Sequence, residues 1–155
     1  VADESLRKNA AMEYARRINA GDLEGVLELF ADDVVVEDPV GSPPVRGKEK
    51  LRERIAWAIE SGVHEVPGRM VTSMDGRTVV VPSLVKTVHP AKMTYKVIGI
   101  SEIGEDGLTH SLRAHWGITD TYLDDEPRLT GVEHALAVAE RLIETVRLSE
   151  GGGSA

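Results

Sequence analysis

Residues 34–44 read Val34-Val35-Val36-Glu37-Asp38-Pro39-Val40-Gly41-Ser42-Pro43-Pro44. Three β-branched residues in succession start a strand. Asp38 before Pro39 ends it, and Pro39, Gly41, Pro43 and Pro44 force a bent loop. A carboxylate is thereby placed where an apolar strand meets a turn. The chain before this stretch is helical. Leu6, Ala10, Ala11, Tyr14, Ala15 and Ile18 recur at a spacing of 3–4 and make one apolar stripe over residues 4–19. Gly21 stops that helix and Asp22 can N-cap the next. The second helix is short, with Leu23, Val26, Leu27 and Phe30 on its buried side, and Ala31-Asp32-Asp33 breaks out of it. Gly47 precedes a third helix with the stripe Leu51, Ile55, Ala58 and Ile59. The charge run Lys48–Arg54 reads as its solvated face.

The chain beyond residue 60 is rich in β-formers. Residues 63–74, 78–88, 92–103 and 108–122 are separated by Asp75-Gly76, His89-Pro90 and Gly104-Glu105-Asp106-Gly107, which is turn chemistry. The simplest connection is a meander of long antiparallel strands. In the last of them Leu112, Ala114, Trp116 and Ile118 share one face, with Ser111, Arg113, His115 and Thr119 on the other. A final helix follows. Thr130 and Glu133 make a capping box, and Val132, Leu136, Ala139, Ile143 and Val146 follow at helical spacing. Helices gathered at one end and strands in the middle predict an α+β domain over residues 1–150. In it a curved antiparallel sheet is wrapped by the N-terminal helices, with a C-terminal helix added. A curled sheet closed by helices is a cone, and a cone leaves a deep apolar pocket. Gly151-Gly152-Gly153-Ser154-Ala155 reads as a flexible tail.

Composition narrows the function. The 155 residues carry a net charge of −8, which repels phosphate, so nucleic acid is not an expected partner. No apolar run reaches the roughly 18 residues of a membrane span, and Val1-Ala2-Asp3-Glu4 is not a signal peptide, so no membrane contact and a cytoplasmic location are expected. With no cysteine there is no thiolate ligand or nucleophile. The five histidines show no metal-ligand spacing, so neither metal nor cofactor is expected. Aromatic residues are 4% of the chain, which makes each one inside a cavity informative. Tyr14, within the apolar stripe, is either a core tyrosine or an inward-pointing donor. Asp38 is either a turn aspartate or a base that desolvation strengthens. Trp116 is either core or a pocket wall with an indole donor. Tyr95 has the parity of Val97 and Gly99, a face that is inward or outward with equal standing.

Asn19-Ala20-Gly21-Asp22-Leu23, Leu29-Phe30-Ala31-Asp32-Asp33 and Val36-Glu37-Asp38-Pro39-Val40-Gly41-Ser42 resemble the bacterial ketosteroid isomerases. These belong to the superfamily of nuclear transport factor 2, the scytalone dehydratases and the small polyketide cyclases. The likeness runs from about Tyr14 to Glu53 and resumes at Gly107, through Ser111-Leu112-Arg113-Ala114-His115-Trp116-Gly117. It implies a deep hydrophobic pocket and a homodimer formed through sheet faces. It also implies a general base at Asp38 and an oxyanion donor at Tyr14. Substrate-binding positions are then Trp116, Tyr95, Gly99, Val97, Leu112, Ala114 and Ile18. The second oxyanion donor of the isomerases falls on Gly99, which has no side chain to donate. Losing one such donor costs about 10²–10³ in rate. An epoxide-opening relative would carry an Arg-x-Asp pair on this strand, and Gly99-Ile100-Ser101 does not supply it, which disfavours that branch.

The leading expectation is therefore a polyketide-tailoring cyclase that folds and closes a hydrophobic chain. Tyr14 is its donor and Asp38 its base or positioning group; the closure is aldol-like, Michael-like or a cycloaddition. The alternatives are a steroid Δ-isomerase and a noncatalytic ligand- or partner-binding module, the last favoured by a collapsed pocket.

Overall fold

A computed structural model describes residues 3–124, 133–134, 136–141 and 143–144. Helix α1 (Glu4–Asn19) starts where the Asp3 carboxylate accepts from the Leu6 amide at 2.7 Å. Helix α2 (Leu23–Leu27) is capped by Asp22, whose carboxylate accepts from the Gly25 amide at 2.9 Å. Strand β1 (Phe30–Glu37) is followed by the short β2 (Val45–Arg46) and by helix α3 (Lys48–Glu60). The remaining strands are β3 (His64–Pro67), β4 (Val71–Thr72), β5 (Thr78–Thr87), β6 (Met93–Ile103), β7 (Thr109–His115) and β8 (Thr121–Leu123).

Phe30 opens β1 and does not close the second helix as the sequence pattern predicted. The Leu29 carbonyl accepts from the Thr109 amide at 2.8 Å, and Phe30 pairs with Thr109. Tertiary pairing thus overrides the helical spacing of Leu27 and Phe30. The exposed Asp32 and Asp33 occupy the register shift between Phe30 and Val35, so they interrupt a strand already begun.

The sheet order is β2-β1-β7-β6-β5-β3, with β4 paired to β5 and β8 to β6. The antiparallel meander is β5-β6-β7, while β1 joins β7 in parallel. One edge of β6 is shared: its C-terminal half pairs with β7 and its N-terminal end with β8. The run 108–122 is accordingly not one strand, since a 3₁₀ turn at Ile118–Asp120 redirects the chain and leaves Ile118 outside the strand face. Residues 63–74 likewise divide into β3 and β4.

Three apolar clusters hold this frame. Ile18, Val26, Leu27, Phe30, Val34, Val36, Leu51 and Ile55 join the three helices to β1. Met70, Val79, Val81 and Ile103 pack under Ala10 and Ala11 of α1. Met93, Leu123 and Val138 tie the C-terminal helical residues to the sheet. In that last helix Leu136 and Ile143 are 58% and 53% exposed, so the stripe read from the sequence is not the packed face. A His134 ring nitrogen bonds the Thr121 carbonyl and the ring lies 5.1 Å from that of Tyr122. This fixes the rotation so that His134 and Val138, four apart, face inward. Thr130, Val132, Val146 and the tail 151–155 lie outside the described residues. Among the described residues no helix is long and apolar enough to cross a membrane.

Candidate active site

Side chains alternate across a sheet, and one parity of each long strand turns toward the helices. From β5 these are Val81, Ser83, Val85 and Thr87; from β6, Tyr95, Val97, Gly99, Ser101 and Ile103; from β7 and just beyond, Leu112, Ala114 and Trp116. With Ala10, Ala11, Tyr14 and Ile18 of α1 they enclose a cavity of about 550 Å³. That volume suits a small organic ligand. All nine positions singled out in the sequence, Tyr14, Ile18, Asp38, Tyr95, Val97, Gly99, Leu112, Ala114 and Trp116, line this one space. His115 is exposed on the opposite face.

Tyr14 reaches the cavity from α1 and meets the edge of Phe30, with ring centroids 6.0 Å apart. Burial, reinforced by the charges of Glu65 and Asp38, pushes its phenol well above the ordinary tyrosine range. Tyr14 is therefore a proton-bearing donor at any working pH. No acceptor within bonding reach claims it among the described residues, which leaves its hydroxyl to a ligand.

Asp38 ends the β1 segment. The Val40 amide donates to the Ala114 carbonyl at 2.8 Å, which ties the bent loop to β7. The Trp116 indole Nε1–H donates to Asp38 Oδ1 at 2.7 Å. Tyr95 lies edge-on to Trp116 at 5.0 Å and holds the indole in place. Arg54 donates from Nη2 to the Asp38 carbonyl at 2.9 Å and lies 3.8 Å from Oδ2. The Asp38 carboxylate thus has an indole N–H on one oxygen and a guanidinium near the other.

Two charged cavity residues escaped the sequence reading. Glu65, on β3, also lines the cavity, and its Oε1 accepts from Ser83 Oγ at 3.0 Å. Burial raises its carboxyl above the ordinary range; the Ser83 hydrogen bond opposes this and the charge of Asp38 adds to it. The signal was there: Glu65 shares strand parity with Val63, a polar residue at an inward position. Arg54 belongs to the run read as solvated. Lys48 and Arg52 of that run do pair outward, with Asp32 and Glu24, but Arg54, Trp57 and Ala58 turn one face of α3 to the cavity.

The cavity thus holds two carboxyl groups in opposed surroundings. Asp38 faces an N–H donor and a cation, while Glu65 is buried with a serine hydroxyl and a nearby negative charge. Two carboxyl groups so differently placed can divide the work of base and acid.

Comparison with known proteins shows the family of the chain. The family model of the SnoaL-like domain matches residues 11–111. Epoxide hydrolase LasB of Streptomyces lasalocidi is 46% identical over 123 residues, which cover 76% of this chain and 44% of that protein. The chain therefore spans less than half the length of that curated relative. Among solved structures, the epoxide hydrolase/cyclase-like enzyme SalBIII, described for its role in pyran ring formation in the polyether salinomycin, superposes with a TM-score of 0.75 at 28% identity, over 78% of this chain and 98% of its own. A Δ5-3-ketosteroid isomerase from Mycobacterium sp. gives a TM-score of 0.70 at 25% identity, over 76% and 97%. The missing Arg-x-Asp pair on β6 therefore does not weigh against epoxide chemistry, as the sequence had suggested: a close relative is named an epoxide hydrolase, and the second cavity carboxyl sits on β3.

Proposed function

Since the chain belongs to the SnoaL-like domain family, we propose that it closes rings on a hydrophobic, polyketide-derived chain by opening an epoxide with a hydroxyl of the same molecule. The observation that carries this reading is the placement of two carboxyl groups in one largely apolar cavity: Asp38, which accepts from the Trp116 indole, and the buried Glu65, which accepts from Ser83. Asp38 takes the proton of the substrate hydroxyl. The oxygen attacks an epoxide carbon, one C–O bond forms and the epoxide C–O bond breaks. Glu65 gives its proton to the released oxygen while Tyr14 donates a hydrogen bond to it. The product is an isomer of the substrate, and the catalyst returns to its starting state when a proton passes from Asp38 to Glu65 through solvent. General acid–base assistance contributes about 10²–10⁴ in rate. Holding the chain folded so that hydroxyl and epoxide meet supplies up to about 7–11 kcal/mol.

A steroid isomerase would use Asp38 and Tyr14 but lacks an acid at Gly99. A partner-binding module would be expected to fill its cavity, and this one stands open. On the outer sheet face Pro82, Leu84, Ile98 and His115 line a groove of about 800 Å³, and we propose this as the face of a homodimer. Sedimentation showing only monomer at micromolar concentration would count against the dimer.

The test of the chemistry is an acyclic hydroxy-epoxide followed by chromatography and mass spectrometry. A cyclic ether of unchanged mass is the expected product, suppressed in Asp38→Asn by about 10²–10⁴. Rapid conjugation of a β,γ-unsaturated ketosteroid, with the hydroxy-epoxide left untouched, would replace this reading with the isomerase.

A further inference from the structure

Arg54 is the sole cation among the described residues that line the cavity. Its surroundings do not reduce it to a counter-ion. The short contact, 2.9 Å from Nη2, goes to the backbone carbonyl of Asp38, whereas the nearer carboxylate oxygen is 3.8 Å away, beyond direct hydrogen-bond distance. The guanidinium carbon lies 5.6 Å from the centroid of the Trp57 ring, so an aromatic face helps fix its plane. Nε and Nη1 have no acceptor among the described residues. The side chain is 39% exposed and Trp57 is 55% exposed, which places this pair where the cavity opens to solvent.

Both two-nitrogen edges of a guanidinium include Nη2, which carries two N–H groups; the Asp38 carbonyl takes one of them, so the other, beside Nε–H or Nη1–H, leaves one edge whose parallel N–H groups match the two oxygens of a carboxylate. In a protein of net charge −8, a cation at the mouth also concentrates attraction for an anionic group at one point. We propose that the ligand of this cavity is an apolar chain ending in a free carboxylate, which Arg54 binds with its free edge beside Trp57 while the chain runs inward past Trp116. The proposal rests on the cavity being the substrate site, and it specifies the substrate class as a carboxylic acid and not an ester.

Decanoate and methyl decanoate are the probes, titrated against the protein with tryptophan fluorescence and calorimetry as readouts. The acid is expected to bind about tenfold more tightly than the ester. Arg54→Gln should abolish this preference by weakening the acid about tenfold more than the ester; Arg54→Lys, which keeps the charge and checks that the fold survives, should retain part of it. Equal binding of acid and ester to the unaltered protein would overturn the proposal, as would no binding of either at millimolar concentration. A parallel weakening of both in Arg54→Gln would also overturn it, since Arg54 would then serve only the Asp38 loop. Ring closure is scored separately. Loss of the hydroxy-epoxide reaction with the acid preference intact removes the proposed chemistry alone. Closure of hydroxy-epoxide acid and methyl ester at equal kcat/KM removes the carboxylate receptor alone.

Discussion

Replacing Glu65 by Gln is the sharpest probe of the acid. The change keeps side-chain size and an oxygen to accept the Ser83 hydroxyl, now 3.0 Å from Oε1. It removes the one thing burial preserves, a transferable proton. Because burial, with help from the charge of Asp38, raises this carboxyl above the ordinary range, the native side chain remains protonated at pH values where an exposed glutamate is ionised. Without it the epoxide oxygen leaves as an unprotonated alkoxide, and ring closure should fall by about 10²–10⁴. The native enzyme should also lose activity as pH rises through the raised value of Glu65, a limb that the Gln variant lacks. Folding gives an independent readout. A carboxyl raised in the folded state binds its proton more tightly there than in the unfolded chain, where its value is about 4.3. Its contribution to stability is complete below that value and is lost as pH rises through the folded-state value. Gln does not ionise, so the melting temperature of the variant relative to the native protein should climb across the same window. A Gln variant within about threefold of native activity, with no change in relative melting temperature as pH rises, would refute the reasoning on both counts.

Other substitutions test other parts. Trp116→Phe removes the 2.7 Å donor to Asp38 while leaving the wall apolar; kcat should drop about tenfold, with KM within about twofold, because a hydrogen bond to a charged group is worth about 1.5–3 kcal/mol. Gly99→Asp puts a Cβ 3.7 Å from the Val81 carbonyl and 3.9 Å from Leu112 Cδ1, ordinary contacts, so the chain should fold and its conversion of a β,γ-unsaturated ketosteroid should rise about 10²-fold. Arg7→Met strips a buried guanidinium from the carbonyls of Ser73 and Thr78, which Nη1 reaches at 3.0 and 2.7 Å; about 2 kcal/mol of stability should disappear, seen as a melting point lowered by about 4–8 °C.

The scaffold was legible because it rests on periodicity and punctuation. Asp22, Pro39 and the Gly104–Gly107 turn mark boundaries by local chemistry that tertiary contacts leave alone. The inward parity of Trp116 followed from alternation with Leu112 and Ala114, which β7 preserves. Phe30 was misplaced because its spacing of three from Leu27 fits a helix face, and only pairing with Thr109 overrides it. Arg54 and Glu65 were illegible for another reason. A charged residue on a helix or short strand reads as solvated unless one knows that a hollow lies behind it, and the hollow is a property of how the whole sheet bends. The rotation of the C-terminal helix was hidden likewise, being set by His134 against Thr121 and not by the helix's own stripe.

The Asn19 side chain has a further consequence. Its amide nitrogen donates to the Glu65 carbonyl and its oxygen accepts from the Glu65 amide, both at 2.7 Å. A primary amide here imitates the backbone of an absent neighbouring strand, on the flank of β3 turned away from β5. That flank is where a stranger's extended segment would zip on, so a helix terminus acts as a stopper against sheet growth. The same two bonds rivet the segment bearing the cavity's acid to the helix bearing its phenol. Breathing of the sheet margin would therefore carry both groups together, and the distance between the Glu65 carboxyl and the Tyr14 hydroxyl is insulated from fraying of the border strand.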